Sequence, residues 1–307
     1  MAGESRKAVF AAIAGNFAIA VVKFVAAAFT GSSAMLSEGI HSLVDMGNGG
    51  LLFFGMHAAE QPADDTHPFG HGRELYFWSL IVAISIFGIG GGMSIYEGII
   101  HILHPSAVGD PTLAYVVLAL SAAIEGASFF VAFREFRKSK GAASTFHAIR
   151  HGKDPSLFTV VFEDAAALIG LSVAFLGILL GHVLGDPYLD AVASVLIGLL
   201  LAGVALWLAY ESKDLLIGEG AEEPLVADIT SIVEADPDVE LVGPILSTYN
   251  GPADLLLNME VEFRQGISAE EIRRAIDRIE PAITSRYPEV TRIFIEVGSL
   301  RPGTPPK

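Results

Sequence analysis

The sequence contains no cysteine. Disulfides, thiolate metal sites and cysteine nucleophiles are therefore excluded. Basic residues are scarce: 19 Lys and Arg stand against 35 Asp and Glu, giving a net charge of -16. That balance argues against a nucleic-acid partner and suits cations. No histidine follows His182, so the C-terminal region has no imidazole to offer a metal. The sequence also lacks His-Glu-x-x-His and Gly-x-Ser-x-Gly. Without those hydrolase signatures, no enzymatic role is expected.

Long apolar runs are what the chain has in quantity. Hydrophobic residues make up 52% of it and lie almost wholly before residue 211. A bilayer core takes ~20 apolar residues in a helix. Six runs qualify: Val9–Thr30, Ala34–His57, Leu75–Ile102, Thr112–Phe133, Ser156–Leu180 and Leu189–Tyr210. Gly and Pro punctuate the gaps between them. The first run is long and has no small-residue cleavage signal, so it reads as a retained span.

Orientation follows from Lys and Arg. Arg6, Lys7, Arg73, Arg134, Arg137, Lys138, Lys140, Arg150, Lys153 and Lys213 all fall on one side of the six spans, and the three opposite loops have no Lys or Arg. Both termini are expected in the cytoplasm. A bacterial inner membrane is the expected location.

After residue 211 the pattern becomes charged. Pro224–Ala235 reads as a helix, Glu240–Tyr249 and Leu255–Phe263 as strands. Ser268 opens a helix to about Tyr287, with a capping box to Glu271, and Arg292–Val297 is a last strand. The order αββαβ implies a small α+β domain with helices on one sheet. The expected domains are a six-span transmembrane domain over 1–211, a cytoplasmic domain over 212–302 and a disordered tail over 303–307.

Ionisable groups inside a bilayer are costly and read by default as functional. Six carboxylates stand within the spans: Glu38, Asp45, Glu97, Glu125, Glu163 and Asp164. Lys23 is the one base there. Internal ion pairs cannot balance the set, so protons or bound cations must. His41 and Asp45 are four apart and share a helix face, which Asn48 extends. An imidazole and a carboxylate on one face can seat Zn²⁺, which takes about four N, O or S ligands. A second helix must complete the set. Span five offers Glu163 and Asp164, which point about 100° apart. Asp164 is the first choice and Glu163 the second. In the loop after span two, Asp64, His67 and His71 form a further candidate site at the membrane surface. Glu125 and Asp190 read as helix–helix hydrogen-bonding residues.

These residues together resemble the cation diffusion facilitator family of zinc and divalent-metal transporters. The matching segments are Ser37-Glu38-Gly39-Ile40-His41-Ser42-Leu43-Val44-Asp45, His67-Pro68-Phe69-Gly70-His71-Gly72-Arg73-Glu74 and Ser94-Ile95-Tyr96-Glu97-Gly98, together with the αββαβ tail. The resemblance covers nearly the whole chain. It implies a ferredoxin-like cytoplasmic domain, a homodimer, and exchange of a divalent cation for protons by alternating access. It also implies a central site with two ligands from span two and two from span five, and a second site at Asp64, His67 and His71. In the usual span-five pair one ligand stands four residues before Asp164. Here that position is Val160, as in the family branch with Glu-Asp in this span. Glu163, Asn48 or water would complete such a site. Zn²⁺ is the expected cargo and protons the counter-ion. An oxygen-rich set would suit Mn²⁺ better, with Fe²⁺ and Co²⁺ as further alternatives. Outside transport, the alternative is a metal-binding membrane scaffold without flux.

Overall fold

The computed structural model describes residues 2–105, 110–139, 152–153 and 155–298. The expected tail over 303–307, and His147 and His151 of the basic loop, lie outside the described residues. The chain divides into two units: Met1–His57 with Leu75–Lys213, and Ala58–Glu74 with Asp214–Lys307.

The first unit is helical. Its elements are α1 (Ala2–Thr30), α2 (Ser33–Ala59), α3 (Glu74–Ser85), a π-helical stretch (Ile86–Gly91), α4 (Gly92–Leu103), α5 (Thr112–Ser139), α6 (Pro155–Leu184) and α7 (Tyr188–Ile217). With α3, the π stretch and α4 taken together, these helices coincide with the six apolar runs of the sequence. Several run past the expected limits because helical hydrogen bonding continues into polar flanks that hydropathy does not mark. Among the described residues, four helices are long and apolar enough to cross a membrane by length and composition: Glu74–Leu103, Thr112–Arg134, Phe158–Leu184 and Tyr188–Ile217. The apolar run described in α1 is shorter, Asn16–Thr30. Gly31 and Gly185, both at φ +67°, end α1 and α6 in the left-handed conformation that glycine adopts at no steric cost.

Helix contacts in this unit use small residues. A Cβ on Gly98 of α4 would lie 2.6 Å from Val195 Cγ2 and 2.8 Å from the Ala191 carbonyl of α7. One on Gly198 of α7 would lie 2.6 Å from Ile95 Cγ1. Such close approach suits a bilayer, where packing must hold helices together without a hydrophobic drive between them. Gly98→Ala is expected to destabilise the helix pair by about 1–3 kcal/mol through overpacking. Thermal unfolding of the purified protein in detergent measures this as a lowered midpoint.

In the second unit α8 (Glu223–Glu234) precedes β1 (Val239–Gly251), β2 (Asp254–Phe263), α9 (Ala269–Arg286) and β3 (Val290–Val297). The sheet order is β1-β2-β3, antiparallel and then parallel. This is the expected αββαβ order. The Ser268–Glu271 capping box is present in both directions. Along β2, Leu255, Leu257, Met259, Val261 and Phe263 are buried and the intervening residues are not, so alternation defines the core face. Ile229 and Val233 of α8 and Ala275, Ile279 and Ile283 of α9 join that core. The β1–β2 register breaks between Val242 and Ile245, where Pro244 has no N–H to give the ladder.

The segment 58–74 belongs to this unit. Arg73 Nη2 donates to Thr248 Oγ1 at 3.3 Å, and the Arg292 guanidinium lies 5.1 Å from the Phe69 ring centre. Gly72 packs so closely on the Asn250 backbone that no Cβ fits.

Candidate metal centre

The α2 sequence places Glu38, His41, Ser42, Asp45 and Asn48 at the three- and four-residue steps that build one helix face. The helix start is fixed by Asp190 of α7, whose carboxylate accepts from Ser33 N at 2.7 Å and Ser32 Oγ at 2.7 Å. His41 is 2% exposed, and its Nδ1 comes to 3.3 Å from Asp45 Oδ1. That approach lacks hydrogen-bond geometry. Both His41 ring nitrogens and Asp45 Oδ1 are buried without a hydrogen-bond partner among the described residues. Buried polar atoms are nearly always bonded, so three orphans on two neighbouring side chains call for an explanation.

Span five supplies the second half. Glu163 and Asp164 diverge around α6, and their contacts separate them. Glu163 Oε1 accepts from Asn48 Nδ2 of α2 at 2.7 Å. Asp164 Oδ2 accepts from Ser128 Oγ of α5 at 3.0 Å. The structure thus ties Glu163 to Asn48, three residues beyond Asp45 on α2, and ties Asp164 to α5; the donor atoms of His41, Asp45 and Glu163 do not all lie within 4.8 Å of one another. Asn48 spends its N–H on Glu163, which leaves Oδ1 as the atom it can offer a cation.

Lys23 was legible only as the lone intramembrane base. In the structure its ammonium is fully buried and donates to Glu38 Oε2 at 3.0 Å, Ser42 Oγ at 2.8 Å and Glu125 Oε1 at 2.8 Å. Nothing local in the sequence ties residue 23 to residue 125. The charge count was the one signal available. Glu97 lies near its own neighbour His101, at 3.9 Å.

The loop cluster is geometrically the tightest. Among the described residues, Asp64, His67 and His71 are the one set of three acidic or imidazole ligands whose donor atoms lie within 4.8 Å of one another. Asp64 folds the loop: its Oδ1 accepts from Thr66 N, Thr66 Oγ1 and His67 N at 2.8, 2.7 and 2.6 Å. The Thr66 hydroxyl, then the His67 backbone N–H, hold its carboxyl down at about 2. It therefore stays ionised, and ready to bind a cation, throughout the physiological range. His71 Nδ1 sits 3.1 Å from the Pro62 carbonyl. A carbonyl only accepts, so Nδ1 carries a proton, and the neutral ring then has its lone pair on Nε2. That Nε2 is 3.6 Å from Asp64 Oδ2. A second partner that fixes the tautomer is the usual support for a ligating imidazole. His71→Ala in an Asp45→Ala background is expected to weaken Zn²⁺ binding at the loop on the order of 100-fold, the upper end of what losing an outer partner costs. Isothermal titration measures it.

The family model for the cation efflux transmembrane domain matches residues 9–217, covering both halves of the buried centre and the loop. The chain belongs to the cation efflux family. It is therefore an integral membrane protein, and the resemblance to the cation diffusion facilitators stands. Its family is one of transporters. The chain is 32% identical over 330 residues to a protein of Xenopus laevis named proton-coupled zinc antiporter SLC30A9, mitochondrial, an alignment covering 95% of this chain and 59% of the relative. The Homo sapiens protein of that name is 35% identical over 84% of this chain and 46% of its own length. A cation-efflux pump, FieF, of Escherichia coli is 25% identical over 92% of this chain and 89% of its own length. The chain thus spans about half the length of the antiporter relatives it matches.

Proposed function

We propose that this cation efflux family member carries a divalent metal, Zn²⁺ foremost, out of the cytoplasm in exchange for protons, and that it catalyses no chemical reaction. The observation that carries this reading is the buried His41 imidazole, both nitrogens unpartnered, against the unpartnered Asp45 oxygen. A metal ion bound by one ring nitrogen and by Asp45 Oδ1 satisfies two of the three, and the other nitrogen then carries the ring proton. His41, Asp45 and Glu163 are its principal ligands in this proposal. Asn48 orients Glu163, and Asp164 supports from the α5 side. Asp64, His67 and His71 take metal at the loop. The name of the antiporter relatives supports zinc and proton coupling.

The coupling follows from ligand chemistry. A divalent ion binds neutral imidazole and ionised carboxylates, so its arrival expels protons. Protons entering from the far side convert His41 and the carboxylates to forms that cannot hold the metal, and it leaves. The one-nitrogen, oxygen-rich set favours Mn²⁺ as the second reading, with Fe²⁺ and Co²⁺ behind it. Both termini lie in the cytoplasm in this proposal, as the basic loops require. The membrane is a bacterial inner membrane, and the soluble unit joins two copies as a homodimer.

Proteoliposomes with an imposed pH gradient test the reading. Zn²⁺ flux is expected to follow the gradient and to collapse when a protonophore removes it. Zinc bound at equilibrium but not moved by the gradient would instead mark a scaffold.

A further inference from the structure

The ion cluster around Lys23 has no part in the exchange described above, yet it is built with care. An ammonium has three hydrogens. Here each has an acceptor, from α2 (Glu38, Ser42) and from α5 (Glu125). Those three oxygens converge on one point from two helices. Remove the nitrogen, and what is left is an oxygen cradle of the kind that hard divalent ions occupy at roughly 2.0–2.6 Å. The 2.8 to 3.0 Å distances to Nζ differ from that by less than the reach of a side-chain adjustment. Further ligand atoms are in place. Glu38 Oε1 and Glu125 Oε2 are buried without a hydrogen-bond partner among the described residues. The Glu38 carboxylate is also given its room by α6: a Cβ on Gly170 would lie 2.6 Å from Glu38 Oε1.

This cradle adjoins the cargo set. Glu38, Ser42 and Asp45 lie on one face of α2, at steps of four and three residues. Lys23 Nζ donates to Ser42 Oγ at 2.8 Å, and Ser42 adjoins His41 and lies three residues before Asp45.

We propose that Lys23 is a built-in cation that keeps the Glu38–Glu125 cradle closed to metal, so that the span interior takes one divalent ion, at the His41/Asp45 set, and not two. A single charge tethered to α1 occupies the second seat permanently. It cannot be carried across, and it repels a second ion from the turn next to the first. A mere structural tie between three helices would need the ammonium for cohesion but would leave no latent metal site behind it. This inference rests on the transport reading above.

The experiment counts Zn²⁺ bound by the full chain in detergent after equilibrium dialysis. His67→Ala with His71→Ala forms the background, so that the loop does not contribute. The soluble unit's own segment after residue 213 has neither cysteine nor histidine to add to the count. One Zn²⁺ per chain is expected in the background, and two with Lys23→Met, whose side chain keeps the length and loses the charge. Adding Glu38→Gln and Glu125→Gln should return the count to one, and Lys23→Arg should leave it at one. A folded Lys23→Met protein that still binds one Zn²⁺ overturns the proposal. A count of zero in the background would instead strike at the transport reading. Should Lys23→Met not fold, Glu125→Gln alone decides. A count of one, with flux within about threefold of the parent, supports a cradle filled by lysine. Loss of the bound Zn²⁺ would make Glu125 a cargo ligand and overturn it.

Discussion

Asp45→Ala is expected to abolish gradient-driven Zn²⁺ flux and to weaken zinc binding at the buried centre by more than ~100-fold. Loss of a group that only orients a ligand costs 10–100-fold, so loss of the ligand itself costs at least that. Asp45 carries an unpartnered buried oxygen 3.3 Å from the imidazole. Truncation leaves His41 with no anionic neighbour on its own helix face within one turn toward the C-terminus. Alanine is the best helix former, so α2 itself should survive. Asp45→Asn keeps the shape and removes the charge, and it should fail nearly as badly. Flux that persists in Asp45→Ala at the parent rate would end the case for this centre.

The second large effect concerns adjacent residues. Glu163→Ala is expected to cost on the order of 100-fold in Zn²⁺ affinity, and Asp164→Ala on the order of 10-fold. The ranking comes from partners: Glu163 reaches α2 through Asn48, whereas Asp164 is held by Ser128 of α5. Asn48→Ala should fall between the two, since it removes the group that aims Glu163. Metal content and flux measured side by side for the three variants give the order. A larger loss for Asp164→Ala would reassign the span-five ligand to the residue the sequence reading put first.

That pair shows where sequence reasoning stops. Helical geometry said that the two acids point apart, but not which one meets α2. The rotation of α6 is set by packing along its whole length, and no local spacing encodes it. The spans were legible because apolarity over about 20 residues leaves few alternatives in a bilayer. The second unit was legible because its devices are local: alternation in β2 and a capping box four residues wide. His41 and Asp45 were legible for the same reason, four residues apart on one helix. The Lys23 cluster joins residues 15, 19 and 102 positions apart, and such pairings exist only after the helices have assembled. The same holds for the loop 58–74, whose place in the second unit depends on Thr248, Asn250 and Arg292.

The π-helical stretch Ile86–Gly91 has its own consequence. There the Gly92 N–H reaches back to the Phe87 carbonyl, five residues away. Such a stretch accommodates one residue more than a regular helix would. Deleting a single residue within it would restore ordinary winding and leave the helix beyond in nearly its present phase, because the wide turn already absorbs that residue. Gly98, which admits α7 at close range, would still face it. The same deletion a few residues later, between Gly92 and Gly98 in α4, would turn Gly98 away by about 100°. The third span therefore has one place where its winding can give up a residue, directly beside a helix where it cannot.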